Sequence, residues 1–173
     1  VEMVFKKGEL YYNDGKLKDF PAPAIEEYLD ERAHDTFHVR HLTEEDFEDV
    51  RQRGVIGMIP GEIVTTDNGY ADHVDLEKDI LKIAVVERHK NTGHIGLGYI
   101  QGYGLKSGAV ATSISHDSHN IIVVGTNEAN MAAAVNRVVE LNGGIVVWDQ
   151  GKPVAEVPLA IAGIMSDESL TSV

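Results

Sequence analysis

The stretch Ile121-Ile122-Val123-Val124-Gly125-Thr126-Asn127-Glu128-Ala129-Asn130-Met131, running on to Leu141-Asn142-Gly143-Gly144-Ile145, decides the fold class. Its opening, Ile121 to Gly125, is a short β-branched run and reads as a strand. From Asn127 to Leu141 the period becomes that of a helix. Met131, Val135, Val138 and Asn142 mark one face, Ala134 and Val139 widen it, and Glu128, Arg137 and Glu140 stay polar. Thr126 or Asn127 caps the start, because a short polar side chain accepts from the unpaired N–H groups there. Asn142-Gly143-Gly144 ends the helix, since glycine takes the left-handed turn without a steric penalty.

Strands flank this helix in both directions. Ile145 to Trp148 and Val154 to Val157 form a hairpin around Asp149-Gln150-Gly151-Lys152. Upstream, Ile80-Leu81-Lys82-Ile83-Ala84-Val85-Val86 is nearly all apolar, as a strand buried on both faces is, and Ala109 to Ser115 is another strand. Residues 55–64 read as an edge or bulged strand, because Pro60 cannot donate to a ladder. Leu42 to Phe47 starts a short helix, with Thr43 as cap, Asp46 as the capping-box acid, and Leu42 and Phe47 at the staple positions. Residues 65–78 are polar and turn-rich, and residues 93–108 are dense in glycine. Near the start, residues 4–18 read as a hairpin or two short strands about the Asn13-Asp14-Gly15-Lys16 turn. Residues 19–40 are irregular, with Pro21, Pro23 and a short helix from Ala24 to Leu29, and the tail from Pro158 to Val173 is loop or short helix. The order predicts an α+β fold: a mixed β-sheet with one long helix packed on it.

Composition limits the function. Hydrophobic residues make up 43% and charged residues 25% of the 173 residues, the balance of a globular domain with a core of its own. There is no cysteine, so disulfides, thiolate metal sites and thiol nucleophiles are excluded. A formal net charge of -13 repels phosphate backbones and argues against nucleic acid as a partner, while a neutral, base-sized ligand is not repelled. No run of eighteen apolar residues marks a membrane span and no basic-then-apolar leader marks export, so the expectation is a cytoplasmic protein without a membrane partner.

Three motifs invite chemistry. The glycine stretch fails as a nucleotide site: Gly96-Leu97-Gly98 is followed by Gln101 where a dinucleotide fingerprint needs glycine, and Leu105 precedes Lys106-Ser107 where a phosphate loop needs one. Ser115-His116-Asp117-Ser118-His119-Asn120 is the densest polar cluster and sits between two apolar strands. Its imidazoles and carboxylate suit proton transfer, its hydroxyls and amide suit reading the edge of a heterocycle, and His with Asp also suits a metal. The same residue types gather in loops without a function. Glu87-Arg88-His89-Lys90 could present Arg88 and His89 to a site, although it also reads as a solvated strand end. His34, His38 and His41 suit a metal only on a helix, and no helix signal accompanies them.

Three segments together resemble the adenine deaminase family of the amidohydrolase superfamily: residues 87–98, residues 108–126, and Gly143 to Val147 continuing to Pro158 to Ser166. The resemblance is strongest over residues 80–168 and is to the C-terminal domain of that family. Residues 1–64 are looser and resemble the strands that follow the barrel in amidohydrolases. The domain organisation this implies is 1–64, strands and a short helix after the barrel, and 65–173, the C-terminal α+β domain. The family implies hydrolysis of adenine to hypoxanthine and ammonia, using manganese or iron held in a (β/α)₈ barrel. This chain has no His-x-His and no room for eight βα units, so the metal ligands are expected outside it, with none here. His116, Asp117 and His119 become the expected catalytic residues, and Arg88, Ser118 and Asn120 the substrate-binding ones. The expected partners are adenine, the N-terminal barrel part and a homo-oligomer. A different deaminating or ring-opening amidohydrolase and a non-catalytic purine-binding or assembly module are the competing expectations.

Overall fold

A computed structural model describes residues 2–19, 24–49 and 51–168. Pro21, Pro23 and residues 169–173 of the tail lie outside the described residues. The chain divides into two compact units at Asp30/Glu31.

The first unit holds strands β1 (Met3–Lys6), β2 (Glu9–Asn13) and β3 (Lys16–Leu17) in an antiparallel sheet of order β1-β2-β3. The expected Asn13–Lys16 turn is present, with Asp14 and Gly15 both at positive φ. Helix α1 (Glu27–His34) crosses the division and starts three residues later than its sequence suggests.

The second unit is built on an eight-stranded sheet. Its strands are β4 (Arg53–Met58), β5 (Thr65–Ala71), β6 (Ile80–Val86), β7 (Ile95–Gln101), β8 (Ala109–Thr112), β9 (Ile121–Gly125), β10 (Gly144–Asp149) and β11 (Lys152–Pro158). The order is β11-β10-β8-β9-β6-β7-β4-β5, with β4 parallel to β7 and the other ladders antiparallel. The sheet is therefore mixed, and the α+β expectation holds. The boundary expected at 64/65 falls in the β4–β5 connection of this sheet.

Helix α2 (Glu128–Glu140) lies on one face. Asn127 caps it by accepting from the Asn130 N–H at 2.9 Å, and Asn142 (φ 59°) and Gly143 (φ 116°) end it. Met131, Ala134, Val135 and Val138 are fully buried against Ala84, Ala111, Val123 and Val146 of the strands. The turn of 3-10 helix Glu44–Phe47 inserts Phe47 and Leu42 into the same cluster. Asp46 accepts from the Thr43 N–H at 2.9 Å, as its capping position predicts. Buried Lys82 on β6 ties these layers together, donating to the Phe47 carbonyl at 2.9 Å and to the Glu128 carboxylate.

Three strands differ from the sequence reading. The strand expected over residues 55–64 is β4, which bulges between Gly54 and Ile56 but is interior, between β7 and β5, and ends at Met58, so Pro60 falls in the turn that follows rather than in an edge strand. β5 occupies the polar segment expected to be turns. It is an edge strand exposed along most of its length, so no apolar alternation is demanded of it. β7 occupies the glycine-dense segment, running between β6 and β4. Its glycines leave no side chains to display the alternation by which a strand is read.

Candidate functional site

Strands β6 and β8 end, and β9 begins, at one edge of the sheet, and this brings residues 87–92 beside residues 113–120. Ser113, fully buried, roots the second segment: its hydroxyl donates to the Gly163 carbonyl and accepts from the Gly144 N–H at 2.8 Å. The loop then folds on itself. The His119 N–H donates to the Ser115 carbonyl at 2.7 Å, Ser115 Oγ and Ser118 Oγ lie 3.2 Å apart, and His119 itself is left-handed at φ 49°.

Arg88 holds this loop from beneath. Only 2% exposed, it donates through Nε to the His119 carbonyl, through one terminal nitrogen to the Thr36 carbonyl at 2.9 Å and hydroxyl at 3.2 Å, and through the other to the Ala162 carbonyl at 2.9 Å. The guanidinium also lies 4.2 Å from the centre of the Phe37 ring. Burial lowers its pKa below the ordinary arginine value, and the group stays charged, its charge solvated by carbonyl dipoles. Three segments far apart in sequence thus meet on one side chain. His89 Nε2 lies 2.9 Å from the Ser118 carbonyl and so carries its proton there, adding a second tie.

Glu87 shapes the neighbouring turn. It accepts from the His89 N–H at 2.6 Å, the Lys90 N–H at 2.9 Å, the Thr92 N–H at 3.1 Å and the Thr92 hydroxyl at 2.8 Å. Partial burial pushes its carboxyl up, but the hydrogen bonds outweigh that and hold its pKa at about 2. A depressed carboxylate stabilises the fold fully above its ordinary value of 4.5 and loses that contribution as pH falls toward about 2. Stability measured by urea denaturation should therefore drop as pH falls through that window, and Glu87→Gln should flatten part of the drop. An unaltered pH profile in the variant would show that this carboxylate does not brace the turn.

Above the braced base lie the other expected site residues. The side chains of His116 and Asp117 are 99% and 96% exposed and pair through Nδ1 and Oδ1 at 2.8 Å. Their free faces point to solvent, so the pair is available to act on something that approaches the loop. His119 and Asn120 behave differently: His119 Nδ1 and Asn120 Oδ1 are buried and have no hydrogen-bond partner among the described residues. A buried polar atom left unpaired costs about 1–3 kcal/mol. The fold brings His116, Asp117, Ser118, His119 and Asn120 together, with Arg88 below them rather than among them. Thr36, Ser113 and Ala162, which complete the base, carry no sequence signal, because two of their contacts to Arg88 or the loop use backbone carbonyls. Among the described residues no group of three or more His, Asp or Glu side chains could hold a metal ion. A groove of about 640 Å³ beside α2, bordered by His41, Asn136, Trp148 and Pro153, includes none of the loop residues.

Comparison with known proteins matches residues 61–173 to the adenine deaminase C-terminal domain. An adenine deaminase of Dehalococcoides mccartyi is 40% identical over 187 aligned positions, which take in the whole of this chain and 31% of that protein. One from Brucella anthropi is 52% identical over 125 positions (68% of this chain, 22% of the relative), and one from Archaeoglobus fulgidus is 56% identical over 115 positions (66% and 20%). The chain thus spans between about a fifth and a third of the length of these relatives. With the family model covering more than half of its residues, the chain belongs to the adenine deaminase family as its C-terminal domain.

Proposed function

We propose that this chain serves, within a complete polypeptide, the hydrolysis of adenine to hypoxanthine and ammonia. The observation that carries the site reading is the pair of orphaned buried atoms, His119 Nδ1 and Asn120 Oδ1, in a loop whose base is otherwise fully bonded. Both atoms are enclosed, so a purine edge offering a donor to the amide oxygen and a partner to the imidazole reaches them as the loop opens, and recovers the energy the fold leaves unspent. Ser118, whose hydroxyl accepts from the Asn120 backbone N–H at 3.3 Å, fixes the backbone that carries the amide. The exposed His116–Asp117 pair is the proton-transfer element. Asp117 orients the imidazole, which passes a proton to departing ammonia. Arg88 belongs to this reading as the residue that holds the binding loop in position.

The manganese or iron of this reading does not fit the residues of this chain, since their described His, Asp and Glu side chains form no cage. The metal belongs to the barrel that makes up the N-terminal part of the enzyme, and residues 3–17 belong with the strands that follow that barrel. The complete protein is a cytoplasmic homo-oligomer on this reading; no helix among the described residues is long and apolar enough to cross a membrane.

In the complete enzyme, His116→Ala should lower kcat for adenine by about 10²-fold, the low end of what a positioned acid contributes, with KM little changed. Asp117→Asn should lower kcat by less than His116→Ala does, because the imidazole keeps its place but loses the carboxylate that orients it. An unchanged rate in His116→Ala would refute the proton-transfer role, and ammonia release from adenine by the 173-residue chain alone would refute the division of labour.

A further inference from the structure

The sheet has a second face, turned away from α2. One row of paired residues crosses it from Gly96 through Val85, Ile122, Thr112 and Ile145 to Val157, each residue directly opposite the next on the neighbouring strand. Paired residues in a sheet point to the same side, and six strands at about 4.8 Å make this row about 24 Å wide. None of its residues is charged. The next row, from Gly98 to Ala155, is uncharged as well. Among the described residues one end of the face is covered, where Val74, Tyr103 and Leu105 pack on Leu81, Ile100 and Val124. At the other end Val85 is 37% and Val157 36% exposed. That open end is the edge from which residues 87–92 and the 113–120 loop emerge.

We infer that this face docks the N-terminal remainder of the polypeptide through an apolar, uncharged surface. Three observations select that occupant. The relative matched along the whole chain is only 31% covered by it, so family members carry a large additional body of protein. A second copy of this domain is disfavoured as the occupant of this face, because each brings a net charge of -13 to the encounter, and the contacts of the proposed homo-oligomer fall elsewhere. The open end of the face adjoins the braced loop, so a body seated on the face meets His116 to Asn120 from the side. The inference goes beyond the proposed reaction: it concerns which surface joins the domain to the rest of the protein, whichever loop residue acts on substrate.

The test places a lysine in the row, as Val85→Lys and, at the edge strand, Val157→Lys. In the 173-residue chain alone, both variants should keep the urea midpoint of the wild type, because both positions are about a third exposed and a lysine there carries its ammonium out to water, and all forms should sediment as monomers. In the complete polypeptide, limited proteolysis should release the C-terminal domain at least about tenfold faster in either variant, since a lysine buried without a partner costs more than the 1.4 kcal/mol that a tenfold change represents. Should Val85→Lys impair folding of the isolated chain, Val157→Lys on the exposed edge strand decides the matter. Equal release in wild type and variants would overturn the inference. So would dimers of the isolated chain that a lysine in the row dissolves, which would make the occupant a second copy. The readout is domain release rather than adenine turnover, so its failure and that of the proposed reaction are told apart.

Discussion

Arg88→Ala should cost the eight-stranded unit about 3–5 kcal/mol, the sum for three buried carbonyls each losing a donor at about 1–3 kcal/mol, reduced by entering solvent. The substitution strips donors from three carbonyls at once, those of Thr36, His119 and Ala162, and leaves a void against the Phe37 ring. Each orphaned carbonyl costs about 1–3 kcal/mol if it stays dry, and solvent entering the gap reduces that sum. Arg88→Lys should recover only part of the loss. An ammonium keeps the charge, but as a point it cannot span acceptors set on three separate segments, where the planar fork reaches all of them. The single tryptophan, Trp148, lies on β10 and reports unfolding of this unit, so urea denaturation followed by its fluorescence gives the comparison. Proteolysis within residues 113–120 should also accelerate in Arg88→Ala, because the loop loses its central tie. A variant within about 1 kcal/mol of wild type would mean that Arg88 is not the brace its contacts indicate.

This brace marks where sequence reasoning stops. The polar loop itself was legible, because two histidines, an aspartate, two serines and an asparagine between two β-branched runs stand out by composition. So were β6, α2 and its cap at Asn127, where local period and capping chemistry agree with the final packing. What holds the loop was not legible. Arg88 reaches Thr36 52 positions upstream, His119 31 positions downstream and Ala162 74 positions downstream, largely through carbonyl groups that every residue possesses. No motif encodes such contacts; the register of the strands produces them. The same limit explains β5 and β7. Periodicity detects strands that bury one face or both, but β5 is exposed along an edge, and in β7 glycines stand where side chains would reveal the alternation. Residues 115–120 could be singled out as a candidate, whereas the burial of Arg88 and the orphaned atoms of His119 and Asn120 required the fold.

Gly143→Ala should be more damaging still, costing about 4 kcal/mol or more and leaving little folded protein. Gly143 sits at φ 116°, in territory that only glycine occupies without strain. A Cβ there would lie 2.3 Å from the Gly163 Cα and 2.9 Å from the Leu159 carbonyl, both backbone atoms that no side-chain rotation can clear. Carbon atoms in ordinary contact lie about 3.5 Å or more apart, so the 159–163 turn must retreat by about an ångström. That turn supplies the Ala162 carbonyl to Arg88 and the Gly163 carbonyl to Ser113, so its retreat loosens the base of the candidate site as well as the end of α2. Gly96→Ala is the control. It lies in β7 with ordinary φ, and an added Cβ there meets nothing within 4 Å, so its stability should stay within about 0.5 kcal/mol of wild type. Soluble yield and Trp148 fluorescence measure both variants. If Gly143→Ala folds as well as Gly96→Ala, then the close approach of the α2 terminus to the 159–163 turn is not what fastens the loop's foundation to the helix.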